Sequence, residues 1–134
     1  MRKQLLYPLF LLGIISFIGC KKDTPVSDSL TGAWELWTDI NGMTGKPTYH
    51  KPGNDTLVTF TETKYQFSAQ GKIVRSGSYK VKQDTFSLDH TVKNTIVYDN
   101  QTNDIKIFFA IKDNQLSFFI DAYDASSTIY RRLK

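Results

Sequence analysis

Beyond Cys20 the chain alternates apolar and polar residues over short runs, breaks those runs at turn residues, and carries no sustained helical period. A period of two puts successive side chains on opposite faces, so each run reads as a half-buried strand. The first predicted strand is Ala33–Ile40, with Trp34, Leu36 and Ile40 on one face and Glu35, Trp37 and Asp39 on the other. Asn41 to Asp55 holds three Gly and two Pro and reads as a long loop. Thr56–Glu62 and Lys64–Ala69 follow as strands joined by a tight turn, and Gln70-Gly71 turns into a longer strand, Lys72–Gln83. Phe86, Leu88, His90, Val92, Asn94, Ile96 and Tyr98 share one parity, either as one bent strand or as two joined near Lys93-Asn94. Ile105–Lys112 alternates again, Asp113-Asn114 turns, and Leu116, Phe118 and Ile120 face inward before a last strand, Thr128–Leu133. Consecutive strands with short connections lie side by side, and closing the meander removes its exposed edges. The expected fold is therefore all-β, a small up-and-down antiparallel β-barrel of about eight strands.

Ahead of the strands, Arg2 and Lys3 precede an apolar run from Leu5 to Ile18 that Pro8, Gly13 and Ser16 interrupt and Gly19-Cys20 ends. A bilayer-spanning helix needs about 20 apolar residues; a signal-peptide core needs about 7–15, and this run fits the second. Ile18-Gly19-Cys20 resembles the end of a lipobox, although Phe17 stands where Leu is usual. The resemblance implies a lipoprotein signal peptide over 1–19, a lipid-bearing Cys20 that opens a polar tether over 20–29, and the barrel domain over 30–134. Palmitate-type chains on Cys20 give stable membrane attachment, at about 0.8 kcal/mol per buried CH₂. The expected location is the cell envelope, anchored to the outer membrane. Lys21-Lys22-Asp23 resembles the surface-export signals of Bacteroidota lipoproteins, and both faces of that membrane stay open.

Length allows one domain. The formal charge of +4 includes Arg2 and Lys3; without them 15 of the 17 Lys and Arg stand against 13 Asp and Glu, a near balance with no basic stripe, which excludes a nucleic-acid binder. The single cysteine permits no internal disulfide and, once acylated, no thiol nucleophile. His50, among Tyr49, Lys51 and Pro52, reads as a solvent-facing loop residue, and His90, on the apolar parity, as a core histidine. They do not form a ligand pair, and no acidic cluster suggests a metal. Glu35 and Asp39, on the outer face, read as solubilising charges rather than a glycosidase pair. No constellation points to an enzyme or to a cofactor.

Leu30-Thr31-Gly32-Ala33-Trp34 opens the domain, and Gly32-x-Trp34 at the start of the first strand resembles the lipocalin signature. Tyr130-Arg131-Arg132 is similar to the last-strand arginine that lies across that tryptophan in lipocalins, with Arg132 favoured by its parity. The resemblance implies that Gly32, Trp34 and Arg132 close one end of the barrel, with about 0.5–2 kcal/mol from the guanidinium on the indole face. Asn41 to Gly45, Thr56 to Thr61 and Ser76-Gly77-Ser78-Tyr79 resemble lipocalin-like lipoproteins of Bacteroidota.

Tyr65, Phe67, Tyr79, Phe86, Tyr98, Phe109, Phe118 and Tyr130 take the inward parity. An eight-stranded barrel is only just wide enough to be filled by its side chains, so core filling is the first reading of these rings. The second is a partly open pocket with tyrosine hydroxyls as its polar groups. Trp37, Phe108 and Phe119 take the outward parity and suggest an apolar external patch. The functional expectation is a lipid-anchored binding module for a small apolar ligand, with Tyr49, Tyr65, Tyr79, Tyr98, Phe109 and Phe118 as ligand-binding residues and Asn41 to Asp55 as a lid. The alternative is a structural or interaction lipoprotein with a filled barrel and an active outer surface, its protein partner unknown.

Overall fold

The computed structural model describes residues 30–102 and 104–134; the expected signal peptide, Cys20 and the expected tether lie outside them. Nine strands follow one another: β1 (Gly32–Ile40), β2 (Pro47–Tyr49), β3 (Leu57–Phe60), β4 (Lys64–Ala69), β5 (Lys72–Phe86), β6 (Thr91–Tyr98), β7 (Ile107–Lys112), β8 (Gln115–Ile120) and β9 (Ser127–Arg132). All pairings are antiparallel, in the order β2-β1-β3-β4-β5-β6-β7-β8-β9, and β1 also pairs with β9. Eight strands thus close into a barrel, and β2 lies outside it. Gln70-Gly71 and Asp113-Asn114 both place two consecutive residues at positive φ, the backbone that two-residue hairpins require.

The inward row of each strand builds the core. Leu30, Trp34, Val58, Phe60 and Leu116 are fully buried, with Tyr65, Tyr79, Ile96, Tyr98 and Phe109 packed among them. Edge-to-face ring pairs join the strands across the interior, such as Phe60 with Tyr79 at 5.1 Å and Tyr65 with Tyr98 at 4.5 Å.

Five features depart from simple alternation. First, the expected long loop contains β2, whose Pro47 to Tyr49 pair with Ile40 to Thr38. Beyond the end of β3 that stretch of β1 would expose an unpaired edge, and a three-residue strand is too short to carry a detectable period. Second, Trp37 is an extra residue in a bulge, since Leu36 pairs with Tyr130 and Thr38 with Ile129. A bulge reverses the parity that follows it. Asp39 therefore pairs with Thr128 on the inward row, and is not an outer-face charge. Third, β5 runs to Phe86, and a turn separates it from β6, so Phe86–Tyr98 is two strands. His90 sits exposed in that turn at φ 56° and is not a core histidine.

Fourth, Phe86 faces outward, not inward. Its ring lies 5.1 Å from Phe108 and 5.4 Å from Phe119, both on the outward row. Ser87 donates to the Asp121 carboxylate, and Lys106 pairs with Asp84 at 2.7 Å. The end of the β5–β6 hairpin thus lies against the outer face of β7 and β8. Phe108, outward as expected, is 0 % exposed, so Phe108 and Phe119 of the expected external patch form a covered apolar cluster with Phe86, while Trp37 packs elsewhere, against Tyr49 and Arg131. Fifth, Ile105 precedes β7 and is exposed.

Candidate functional site

One end of the barrel is plugged. The Arg132 guanidinium carbon stands 4.0 Å from the Trp34 ring centroid. Trp34 Nε1 donates to the Leu30 carbonyl at 2.8 Å, and Arg132 Nη1 to the Thr31 carbonyl at 2.7 Å. Gly32 takes φ 128°, and a Cβ there would stand 2.9 Å from Arg132 Nη1. The structure brings Gly32, Trp34 and Arg132 together, and the φ of 128° is a backbone that glycine adopts freely and other residues rarely do.

In an up-and-down barrel alternate connections share an end, so the β1–β2, β4–β5, β6–β7 and β8–β9 connections rim the opposite one. Toward that end the inward side chains are not sealed: Phe67, Phe118 and Tyr130 are only partly buried. Five of the six expected ligand-binding residues, Tyr65, Tyr79, Tyr98, Phe109 and Phe118, lie inside the barrel. Tyr49 does not join them. It is exposed on β2, its ring 6.1 Å from that of Trp37 on the outside of the wall. The expected lid is also tied down: His50 Nε2 meets Asp39 Oδ2 at 2.8 Å, and Asn54 Nδ2 donates to the Leu36 carbonyl at 2.9 Å. His50 is thus bonded rather than solvated.

The tyrosine hydroxyls divide into two kinds. Tyr65 donates to Asp99 Oδ2 at 2.7 Å and Tyr79 to the Thr61 carbonyl at 2.7 Å. Tyr98 is 7 % exposed, yet its hydroxyl meets no partner among the described residues, and neither does that of Tyr130. Burial pushes the Tyr98 hydroxyl far above the ordinary phenol range, with Tyr130 and Tyr65 adding to the shift. Burial, and then the Asp39 charge, push Tyr130 up to about 12. Both are neutral donors at physiological pH. Four residues earlier on β6, Asn94 buries its side-chain oxygen with no partner among the described residues.

Beside Tyr98 stands a group that alternation did not single out. Arg75 occupies the inward row of β5, opposite Phe67. Its guanidinium carbon lies 5.4 Å from the Tyr65 ring and 5.3 Å from the Tyr98 ring. Its one ion pair, Nη2 to Asp99 Oδ2, is long at 3.4 Å. Asp99 also accepts from Ser78 N at 2.9 Å. A Cβ on Gly77 would fall 1.8 Å from Asp99 Oδ1, so the missing side chain of Gly77 is the space the carboxylate occupies. The Tyr65 hydroxyl bond, foremost, holds Asp99 below the usual carboxylate range.

Tyr98 also borders an opening in the wall. β6 and β7 pair only at Asn94–Ile96 with Phe109–Ile107. Past that point they part around a recess of about 270 Å³ next to Ile96, Tyr98, Ile105, Lys106 and Ile107.

On the outer face Glu35 is no solubilising charge. It is buried beneath Arg131, whose Nη2 donates at 2.6 Å, and it accepts from Gly53 N at 2.6 Å and Asn54 N at 3.2 Å. Arg131 in turn covers the Trp37 ring at 4.7 Å. Among the described residues no group of three or more His, Cys, Asp or Glu is placed to hold a metal ion. No protein-family model, curated protein or solved structure matches the chain.

Proposed function

We propose that this chain is a lipid-anchored binding module, a lipocalin-like barrel that takes a small apolar ligand at its open end and does no chemistry on it. The observation that carries this reading is Tyr98: a buried residue whose hydroxyl makes no hydrogen bond among the described residues, beside half-open Phe67, Phe118 and Tyr130. A hydroxyl at the edge of an apolar interior with no protein partner can donate to a ligand atom or to a water. A concave, mostly apolar surface with a few convergent polar groups is the usual form of a small-molecule site. The filled half around Trp34, Val58, Phe60 and Leu116 limits the ligand to the other half, and so to a small one. The anchor rests on the Gly19-Cys20 junction behind an apolar run too short to span a bilayer. Outer-membrane attachment belongs to the same reading.

The test is titration of the purified protein with the neutral apolar dye N-phenyl-1-naphthylamine. Wild type is expected to bind about one dye saturably, and Phe109→Ala to bind it more weakly through loss of a wall contact. No binding by wild type, with binding gained in Phe109→Ala, would show a filled barrel in which truncation has opened a cavity. That outcome returns the protein to the alternative, a structural or interaction lipoprotein.

A further inference from the structure

We infer that the ligand is an amphiphile with a carboxylate head, which Arg75 receives at the open end while the apolar body lies inside against Phe67, Tyr98 and Phe118. This rests on the reading of the barrel as a binding module. Asp99 accepts from Tyr65, Ser78 and Arg75, and Asp39 accepts from Thr128 and pairs with His50. The two carboxylates in contact with the inward side chains of this end are therefore occupied. The groups with capacity to spare are donors: the Tyr98 and Tyr130 hydroxyls, and Arg75, whose five N–H bonds meet only Asp99, at 3.4 Å, and the Tyr65 hydroxyl. A ligand entering here meets donors that lack acceptors.

Position and shape favour the guanidinium as the head-group contact. The Arg75 side chain is 47 % exposed, so a charged head reaches it without leaving water, while the Tyr98 ring beneath it is buried. The rings of Tyr65 and Tyr98 hold the guanidinium in one place. A held, planar fork of donors matches the two oxygens of a carboxylate better than the single oxygen of an alcohol. Asp99 and Asp39 oppose a second negative charge. Their presence keeps the preference modest, about tenfold for a carboxylate over the matching alcohol, which is the size of one solvent-accessible charged contact.

Displacement of N-phenyl-1-naphthylamine by dodecanoate and by dodecan-1-ol tests this on the purified protein. Wild type is expected to bind dodecanoate about tenfold more tightly than dodecan-1-ol. Arg75→Gln is expected to erase that difference by weakening dodecanoate far more than dodecan-1-ol, with Arg75→Lys between the two. Melting curves verify that the variants fold; if Arg75→Gln does not, the comparison is read from Arg75→Lys. Equal displacement by acid and alcohol on wild type, or a preference undiminished in the Arg75 variant, overturns the inference and leaves the binding module standing. If neither the dye nor either amphiphile binds, the binding module itself falls.

Discussion

Glu35 carries the sharpest energetic consequence of the fold. Its side chain is 5 % exposed and takes two bonds from Arg131 and two from the backbone at Gly53 and Asn54. Replacing it with Gln keeps the shape and one acceptor oxygen but removes the charge. Breaking a buried ion pair costs about 3–5 kcal/mol. Arg131 remains 29 % exposed and rehydrates in the variant, and the Gln oxygen still serves Gly53, so the expected loss is about 2–3 kcal/mol at pH 7. The loss depends on pH with a definite sign. The Arg131 hydrogen bond, ahead of the other causes, holds Glu35 below its usual 4.5 in the folded protein. The stabilisation is complete above about pH 4.5 and disappears as pH falls through the lowered folded value. Urea unfolding followed by tryptophan fluorescence should therefore separate wild type from Glu35→Gln at pH 7, and the gap should narrow below pH about 4. A gap under about 0.5 kcal/mol at pH 7, the range of an ordinary surface change, or one that does not narrow in acid, refutes the account of Glu35 as a buried, paired carboxylate.

Trp34→Ala should cost about 3–5 kcal/mol in the same assay, as for any large buried aromatic. Trp37→Ala, three residues on but outside the wall, should cost about 1 kcal/mol; equal losses would show the register of β1 to be wrong. Phe108→Ala should cost about 3–5 kcal/mol although its side chain points away from the barrel, and a loss near zero would mean that the outer cluster is not packed. Cys20→Ser should abolish incorporation of a fatty-acid analogue in cells, because the chain has no other thiol; label retained on the variant would end the lipoprotein reading.

Alternation located all eight barrel strands, and the left-handed pairs Gln70-Gly71 and Asp113-Asn114 marked two of the hairpins. It failed where the physics it assumes fails. A period-two reading takes the outward row to face water, and the outward row of β7 faces the end of another hairpin, so Phe108 and Phe86 escaped it. One inserted residue, Trp37, silently inverted Asp39. Glu35 looked soluble because the 50–56 segment and Arg131 that bury it come from elsewhere in the chain. Of the site, the inward tyrosines and phenylalanines were legible from parity. Tyr49 was placed by loop membership alone, and the loop turned out to be pinned. Arg75 was passed over for an understandable reason: an arginine in an inward row contradicts the rule that such rows are apolar, and that contradiction was the available signal.

The hairpin end over β7 and β8 does more than cover two phenylalanines. The β6–β7 seam holds the fewest residue pairs in the barrel wall, three, and Phe86 on Phe108 with Ser87 on Asp121 spans it from outside. The hairpin is thus a brace across the weakest line of the barrel. While the brace is seated, the amides of Ile96 and Phe109, which point across that seam, are protected from exchange with solvent deuterium. Once it lifts, the seam beside Tyr98 can part while the other seven pairings stay closed, and those two amides exchange first. The wall then has a side door, at a position set by the length of one hairpin rather than by the mouth of the barrel.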